Sequence, residues 1–163
     1  MANKIRVLIV DDEVRFLKTL SQRLELRGLE VTGHSNGQDA VETARQQEFD
    51  LALLDLTMPG MSGEQVLDVL RAEHPDMEVV ILTGHGSIDS AIACTRQGAY
   101  SYLQKPCEEE ELFKVLKDAY QKRVQRKFQL SQEKIEQLLA GATGQSALAI
   151  LRRLKEIEDS RSK

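Results

Sequence analysis

The chain has little cysteine, no long apolar run and no strong excess of either charge. Its two cysteines, Cys94 and Cys107, cannot staple a disulfide-rich scaffold. They lack CxxC spacing and a nearby His pair, so they read as reduced thiols rather than zinc ligands. The longest apolar stretches are only a few residues, which excludes a transmembrane helix and any membrane insertion through one. The opening Met-Ala-Asn-Lys-Ile-Arg lacks the apolar core of a signal peptide, so a cytoplasmic protein is expected. Lys and Arg number 22 against 26 Asp and Glu, a net charge of -4, and leave no general footprint for nucleic acid or an anionic membrane. No internal repeat, low-complexity tract or Walker A motif is present, so no P-loop ATPase is encoded.

What remains is ordinary globular material: 163 residues, 41% hydrophobic and 29% charged. Five short apolar runs stand out, at 5–10, 30–34, 51–54, 79–82 and 100–103. Three are nearly continuous in Val, Ile or Leu, as strands buried on both faces of a parallel sheet read. Helical periodicity fills the gaps. Phe16, Leu17, Leu20, Leu24 and Leu26 precede an Arg27-Gly28 stop. Ala40, Val41 and Ala44 follow Asn36-Gly37, and Val66, Leu67, Val69 and Leu70 follow Ser62-Gly63. Ile88, Ala91, Ile92 and Ala93 follow Gly86-Ser87, and a fifth helix is expected after Pro106. The pattern is β-α five times over: an α/β fold with a parallel sheet and right-handed crossovers.

Ligands of such sheets bind beyond the carboxyl ends of the strands. There the sequence places Asp11-Asp12-Glu13, Asp55, Thr83-Gly84 and Lys105-Pro106. Any one of these could be a plain helix cap. Together, three carboxylates crowd one pocket and raise one another's pKa unless a cation neutralises them. A hard divalent cation with oxygen ligands suits them. Lys105 adds a point charge suited to phosphate, and the Thr83 hydroxyl adds a donor. Metal, ammonium and hydroxyl make a cradle for a phosphoryl group. A carboxylate is a competent nucleophile towards phosphorus.

Four segments now carry a family resemblance. Val10-Asp11-Asp12-Glu13, the stretch 53–63 around Asp55, Leu82-Thr83-Gly84-His85-Gly86 and Tyr102-Leu103-Gln104-Lys105-Pro106 resemble the receiver domain of two-component response regulators. The resemblance covers residues 4 to about 122. It is nearest to nitrogen-regulation receivers, which share Leu-Thr-Gly-His-Gly and Gly-Ala-Tyr. It implies a doubly wound, flavodoxin-like five-stranded parallel sheet of order 2-1-3-4-5 flanked by five helices. It implies that Asp55 accepts a phosphoryl group from the phosphohistidine of a sensor histidine kinase or phosphotransfer protein. Asp12 and Asp55 would hold Mg2+ directly, with Asp11 nearby or through water and the backbone carbonyl of Thr57 as a further ligand. Lys105 would pair with a phosphoryl oxygen. Thr83 would move inward to the phosphoryl group, and Tyr102 would swing into the vacated space. The Lys105-Pro106 bond is expected to be cis. Thr57 and His85, beside the site, would tune hydrolysis of the aspartyl-phosphate. The face of the fourth helix and fifth strand is the expected output surface. Met58 and Met61 read as packing under a turn, and His34 and His74 carry no assigned role.

The chain divides in expectation into a receiver over 1–122 and a helical extension over 123–163. Residues 1–107 hold ten basic and sixteen acidic residues, and 108–163 hold twelve and ten. The acidity therefore belongs to the α/β part. In the extension Val124, Phe128, Ile135 and Leu138 are spaced by 4, 7 and 3, a Gly-Ala-Thr-Gly break follows, and Ala147, Ile150, Leu151, Leu154 and Ile157 outline a short amphipathic helix. The fifth helix could run from Glu108 towards Leu139. Its stripe can pair with a second copy as a homodimer, dock on a partner or fold back on the receiver. The polar end at residues 159–163 mildly favours a native stop over truncation from a longer regulator. The expected function is a phosphorylatable switch acting on downstream protein partners, not an enzyme beyond its own phosphoryl acceptance and autodephosphorylation. The alternative is a DNA-binding regulator with a minimal or truncated output segment. Nucleic acid is not the expected partner: a helix-turn-helix over 131–158 would be short, lacks a third helix and is weakly basic.

Overall fold

The computed structural model describes residues 4–84, 86–128, 133, 137 and 147–161. Five strands, β1 (Arg6–Val10), β2 (Glu30–His34), β3 (Leu51–Leu54), β4 (Glu78–Thr83) and β5 (Ser101–Gln104), form one parallel sheet in the order β2-β1-β3-β4-β5. The central strands alternate strictly. Val7, Ile9, Leu51, Leu53, Val80 and Leu82 point to one face, while Leu8, Val10, Ala52, Leu54, Val79 and Ile81 point to the other. Both faces are covered, which is why these strands read as unbroken apolar runs. The observed strand ends differ from the runs by a residue. β5 starts at Ser101 rather than Tyr100, and β4 takes in Glu78 and Thr83, because backbone pairing and not hydropathy ends a strand.

One face is covered by α2 (Gly37–Gln46), α3 (Gly63–Glu73) and α4 (Ile88–Arg96), the other by α1 (Val14–Leu26) and α5 (Glu109–Lys127). Asn36, Ser62 and Ser87 cap α2, α3 and α4 by accepting from the amide three residues on. On α4 the apolar periodicity points outward. Ile88 and Ile92 are exposed, and Cys94 is the fully buried residue. Leu26, at the end of α1, is likewise exposed.

The fifth helix runs without a break through residue 122 and ends at Lys127. The expected continuation to Leu139, with Ile135, Leu138 and the break at 141–144, lies outside the described residues. The last helix, α6 (Ala147–Arg161), packs against α5. Leu151, Leu154 and Ile157 join the same core as Leu24, Tyr120 and Val124. While the stripe expected on a continued fifth helix, beyond Phe128, lies outside the described residues, helix α6 thus folds back on the receiver. Polar contacts fix it there. Arg123 reaches both Asp50 (3.2 Å) and Glu158 (2.8 Å), and Lys155 reaches Asp50 at 3.3 Å. Glu158 also accepts from Tyr120 and pairs with Lys127 at 3.2 Å.

Candidate functional site

The site forms where four parallel strands end together. Asp11 follows β1, and its amide donates to the His34 carbonyl (3.1 Å). Asp55 follows β3, and its amide donates to the Val10 carbonyl (2.9 Å). Thr83 closes β4, and the Lys105 amide donates to its carbonyl (2.9 Å). The sheet ladder therefore sets the spacing of the polar side chains. Helix α3 starts hard against this floor: a Cβ on Gly63 would lie 2.2 Å from the Asp55 carbonyl oxygen, so only glycine permits the approach.

Asp11 and Asp55 are buried and Asp12 is half-buried. One carboxylate oxygen from each lies within 4.8 Å of the others. Asp11 accepts from Lys105 Nζ at 2.6 Å and from the Glu13 amide at 2.9 Å. Asp55 Oδ1 accepts from the Thr83 hydroxyl at 2.6 Å. Asp55 Oδ2 is buried and accepts no hydrogen bond, with Lys105 Nζ 3.8 Å away. Burial pushes the Asp11 carboxyl above its ordinary value and the Asp55 charge adds to this, against the opposing pull of Lys105 and the Glu13 amide. For Lys105 burial acts to lower the pKa. The bond to Asp11 and the charges of Asp11, Asp55 and Glu13 outweigh it, so the ammonium is held above its ordinary value.

Three clustered carboxylates, one of them paired with a lysine and one with a buried oxygen left over, suit a hard cation. Such ions take carboxylate oxygens and dehydrate poorly, so a half-open acidic cup fits them. Thr57 is exposed in the loop after Asp55. Met58 is buried and Met61 packs against the α2–α4 side of the core, as expected of residues under that turn. His85 lies outside the described residues. His34, assigned no role from sequence, shares a 2.8 Å hydrogen bond with Thr43. Tyr102 lies next to the site. Its hydroxyl is 3.1 Å from Ser90 on α4, and a Cβ on Gly86 would lie 2.0 Å from it. The Lys105-Pro106 bond is cis, as expected.

Around Lys105 sequence reasoning placed Glu13 at the strand end without a role and missed Phe16. Glu13 lies 3.4 Å from the Lys105 ammonium, and the ring centroid of Phe16 lies 3.9 Å from it. Phe16 had read only as one apolar position on a helix. Its place beside a strand-end lysine far along the chain has no signature in a single sequence.

Comparison with known proteins agrees with this geometry. Residues 7–117 match the response regulator receiver domain model. The chain is 37% identical over 113 residues to the transcriptional regulatory protein GlrR of Escherichia coli K12, covering 69% of this chain and 26% of that protein. It is 39% identical over 107 residues to the alginate biosynthesis transcriptional regulatory protein AlgB of Pseudomonas aeruginosa, covering 66% and 24%. It thus spans about a quarter of the length of these curated relatives. Among solved structures, a CheY-like receiver domain protein from Methanospirillum hungatei JF-1 superposes with a TM-score of 0.74 at 27% identity, covering 76% of this chain and 99% of that one. The beryllofluoride-activated NtrC4 receiver domain dimer gives 0.69 at 33% identity, covering 72% and 98%.

Proposed function

Because this chain belongs to the response regulator receiver family, we propose that it is a phosphorylatable switch whose acceptor is Asp55. The observation that carries the reading is Asp55 Oδ2, buried without a hydrogen bond between Lys105 and the two neighbouring carboxylates. That oxygen attacks phosphorus, the bond from phosphorus to the donor imidazole nitrogen breaks, and the imidazole leaves with the electron pair and takes up a proton. Asp12 and Asp55 would hold Mg2+, with Asp11 beside them and the Thr57 carbonyl as a further ligand. Bound there, the ion would neutralise charge on the phosphoryl oxygens. Lys105 moves a hydrogen bond from Asp11 to a phosphoryl oxygen. The Thr83 hydroxyl, now on Asp55, is placed to follow it, and Tyr102 responds beside α4. The phosphoryl group brings a charge of about -1.5 to -2 at neutral pH, enough to bias a surface with two arrangements. Hydrolysis by water resets the switch, so no outside substrate is turned over.

The donor is a sensor histidine kinase or phosphotransfer protein, and the target is a downstream protein partner, in the cytoplasm. Among the described residues no helix is long and apolar enough to cross a membrane. The division into a receiver over 1–122 and an extension over 123–163 belongs to this reading, with α6 seated on the receiver. A homodimer through α6 would need that apolar face released, which light scattering with and without beryllofluoride tests. The relatives' names favour a second reading, in which the switch serves a transcriptional regulator. Salt-dependent binding of DNA by this chain would support it. The deciding experiment is mass spectrometry after acetyl phosphate and Mg2+. One added phosphoryl group is expected, and none in Asp55→Asn; labelling that persists in the variant rejects the assignment.

A further inference from the structure

We propose that Phe16 positions Lys105 for phosphoryl transfer by holding its ammonium against the face of the ring. The inference rests on the receiver reading, since it gives Phe16 a role that acts through Lys105. Phe16 lies in the first turn of α1 and packs, half-buried, on the α1–α5 side of the core. Its ring centroid is 3.9 Å from Lys105 Nζ, well inside the reach of about 6 Å at which a cation is drawn to an aromatic face. The Lys105 side chain is 11% exposed, so water competes little for the ammonium and the attraction is stronger than at an open surface.

Among the described residues the charged groups within 4.0 Å of that ammonium are carboxylates: Asp11 at 2.6 Å, Glu13 at 3.4 Å and Asp55 at 3.8 Å. A carboxylate binds an ammonium by taking one of its three N–H donors. A fourth carboxylate in the place of Phe16 would take another donor and add negative charge to a pocket that already has too much. The ring differs in both respects. It attracts the charge through its quadrupole, takes up no directed hydrogen bond and carries no net charge. Lys105 can therefore stay anchored while an N–H turns from Asp11 to the phosphoryl group forming on Asp55. Glu13 cannot serve in this way, because it is a mostly exposed carboxylate on the same side of the charge balance as Asp11.

The test replaces Phe16 with phenylalanines carrying one, two and three ring fluorines, and separately makes Phe16→Leu. Fluorine drains the ring face with little change of shape, and leucine keeps apolar cover without a ring. The readouts are the initial rate of Asp55 labelling by acetyl phosphate at saturating Mg2+, and the Mg2+ affinity of the unphosphorylated chain by NMR titration. The rate is expected to fall stepwise with fluorine and by about threefold to tenfold in Phe16→Leu. Mg2+ affinity should hold, since Phe16 offers no ligand atom. A flat rate across the fluorine series overturns the proposal, including when Phe16→Leu alone is slow, because that makes the ring mere packing. A matching fall in Mg2+ affinity overturns it too. If Phe16→Leu does not fold, the fluorinated chains still decide. Absence of any label on the native chain would instead reject the receiver reading, so the two failures are distinct.

Discussion

The two ends of the sheet both bury acids, and they treat them in opposite ways. At the carboxyl ends of the strands, Asp11, Asp12 and Asp55 bring their carboxylates together, Lys105 pairs with Asp11, and one oxygen of Asp55 goes without a hydrogen bond. At the amino ends, Asp50 is equally buried but accepts from the Arg6 amide (2.8 Å) and pairs with Arg123 and Lys155. Arg123 also donates to the Asp76 carbonyl and Arg126 to the Pro75 carbonyl, so the last turn of α5 grips the loop before β4. Burial alone therefore does not mark a functional carboxylate. What differs is the oxygen left over: both oxygens of Asp50 are engaged, whereas Asp55 Oδ2 accepts no hydrogen bond.

The sharpest way to break this comparison is Asp50→Ala. It leaves Arg123 and Lys155 buried with Glu158 as their remaining shared acid, and should cost about 3 kcal/mol by urea unfolding. Phosphoryl acceptance by the folded fraction should be unchanged. A loss under about 1 kcal/mol would mean the cluster is not a structural clamp. Next in size is Mg2+, which should act at the other end alone. At a hundred times its dissociation constant it should stabilise the chain by about 2.7 kcal/mol. A chelator should remove this, and the increment should be the same in Asp50→Ala. An increment that vanishes in that variant would place the ion at the wrong end. Third is Asp55→Asn without Mg2+. The amide oxygen can still accept from Thr83, and one of three crowded charges is gone. Stability should rise by about 1 kcal/mol, opposite in sign to Asp50→Ala. A fall would show that Lys105 already balances the pocket.

The same contrast explains what the sequence disclosed. The acidic end was legible because every member sits within two residues of the end of an apolar run, at a place the topology of parallel sheets makes a site. The central strands were legible because burial on both faces leaves no polar residue to interrupt them. The other end was not. Asp50 and Lys155 are 105 positions apart, and charged residues on helices ordinarily mean a solvated face. The boundary expected at residue 123 gave no sign of this, yet Arg123 is buried against α6 and Asp50. Helix α4 misled for the converse reason: Ile88 and Ile92 keep helical spacing but face outward. Periodicity identifies a stripe, not the side on which it is covered.

The smallest effect tests the matched end from within. Burial pushes the Glu158 carboxyl up to about 8, with the charges of Asp50, Asp159, Asp76 and Glu48 acting in the same direction. Arg123, Lys127 and Lys155 approach it at 2.8, 3.2 and 3.6 Å and favour the ionised form, and Tyr120 donates to it. A carboxyl whose pKa is raised in the folded state is bound more tightly to its proton there than in the unfolded chain. Its contribution is therefore complete below about pH 4.5 and is lost as the pH rises through about 8. The three cations act against this rise, so the expected loss is a small part of what a shift to about 8 alone would carry. Glu158→Gln keeps an acceptor for Tyr120 and Arg123 without a titrating proton. Urea unfolding of both chains between about pH 5 and pH 9 should show their stability difference closing or reversing as the pH rises. If the native chain instead gains on Glu158→Gln with pH, the cations outweigh burial. Glu158 would then be an ionised partner like Asp50.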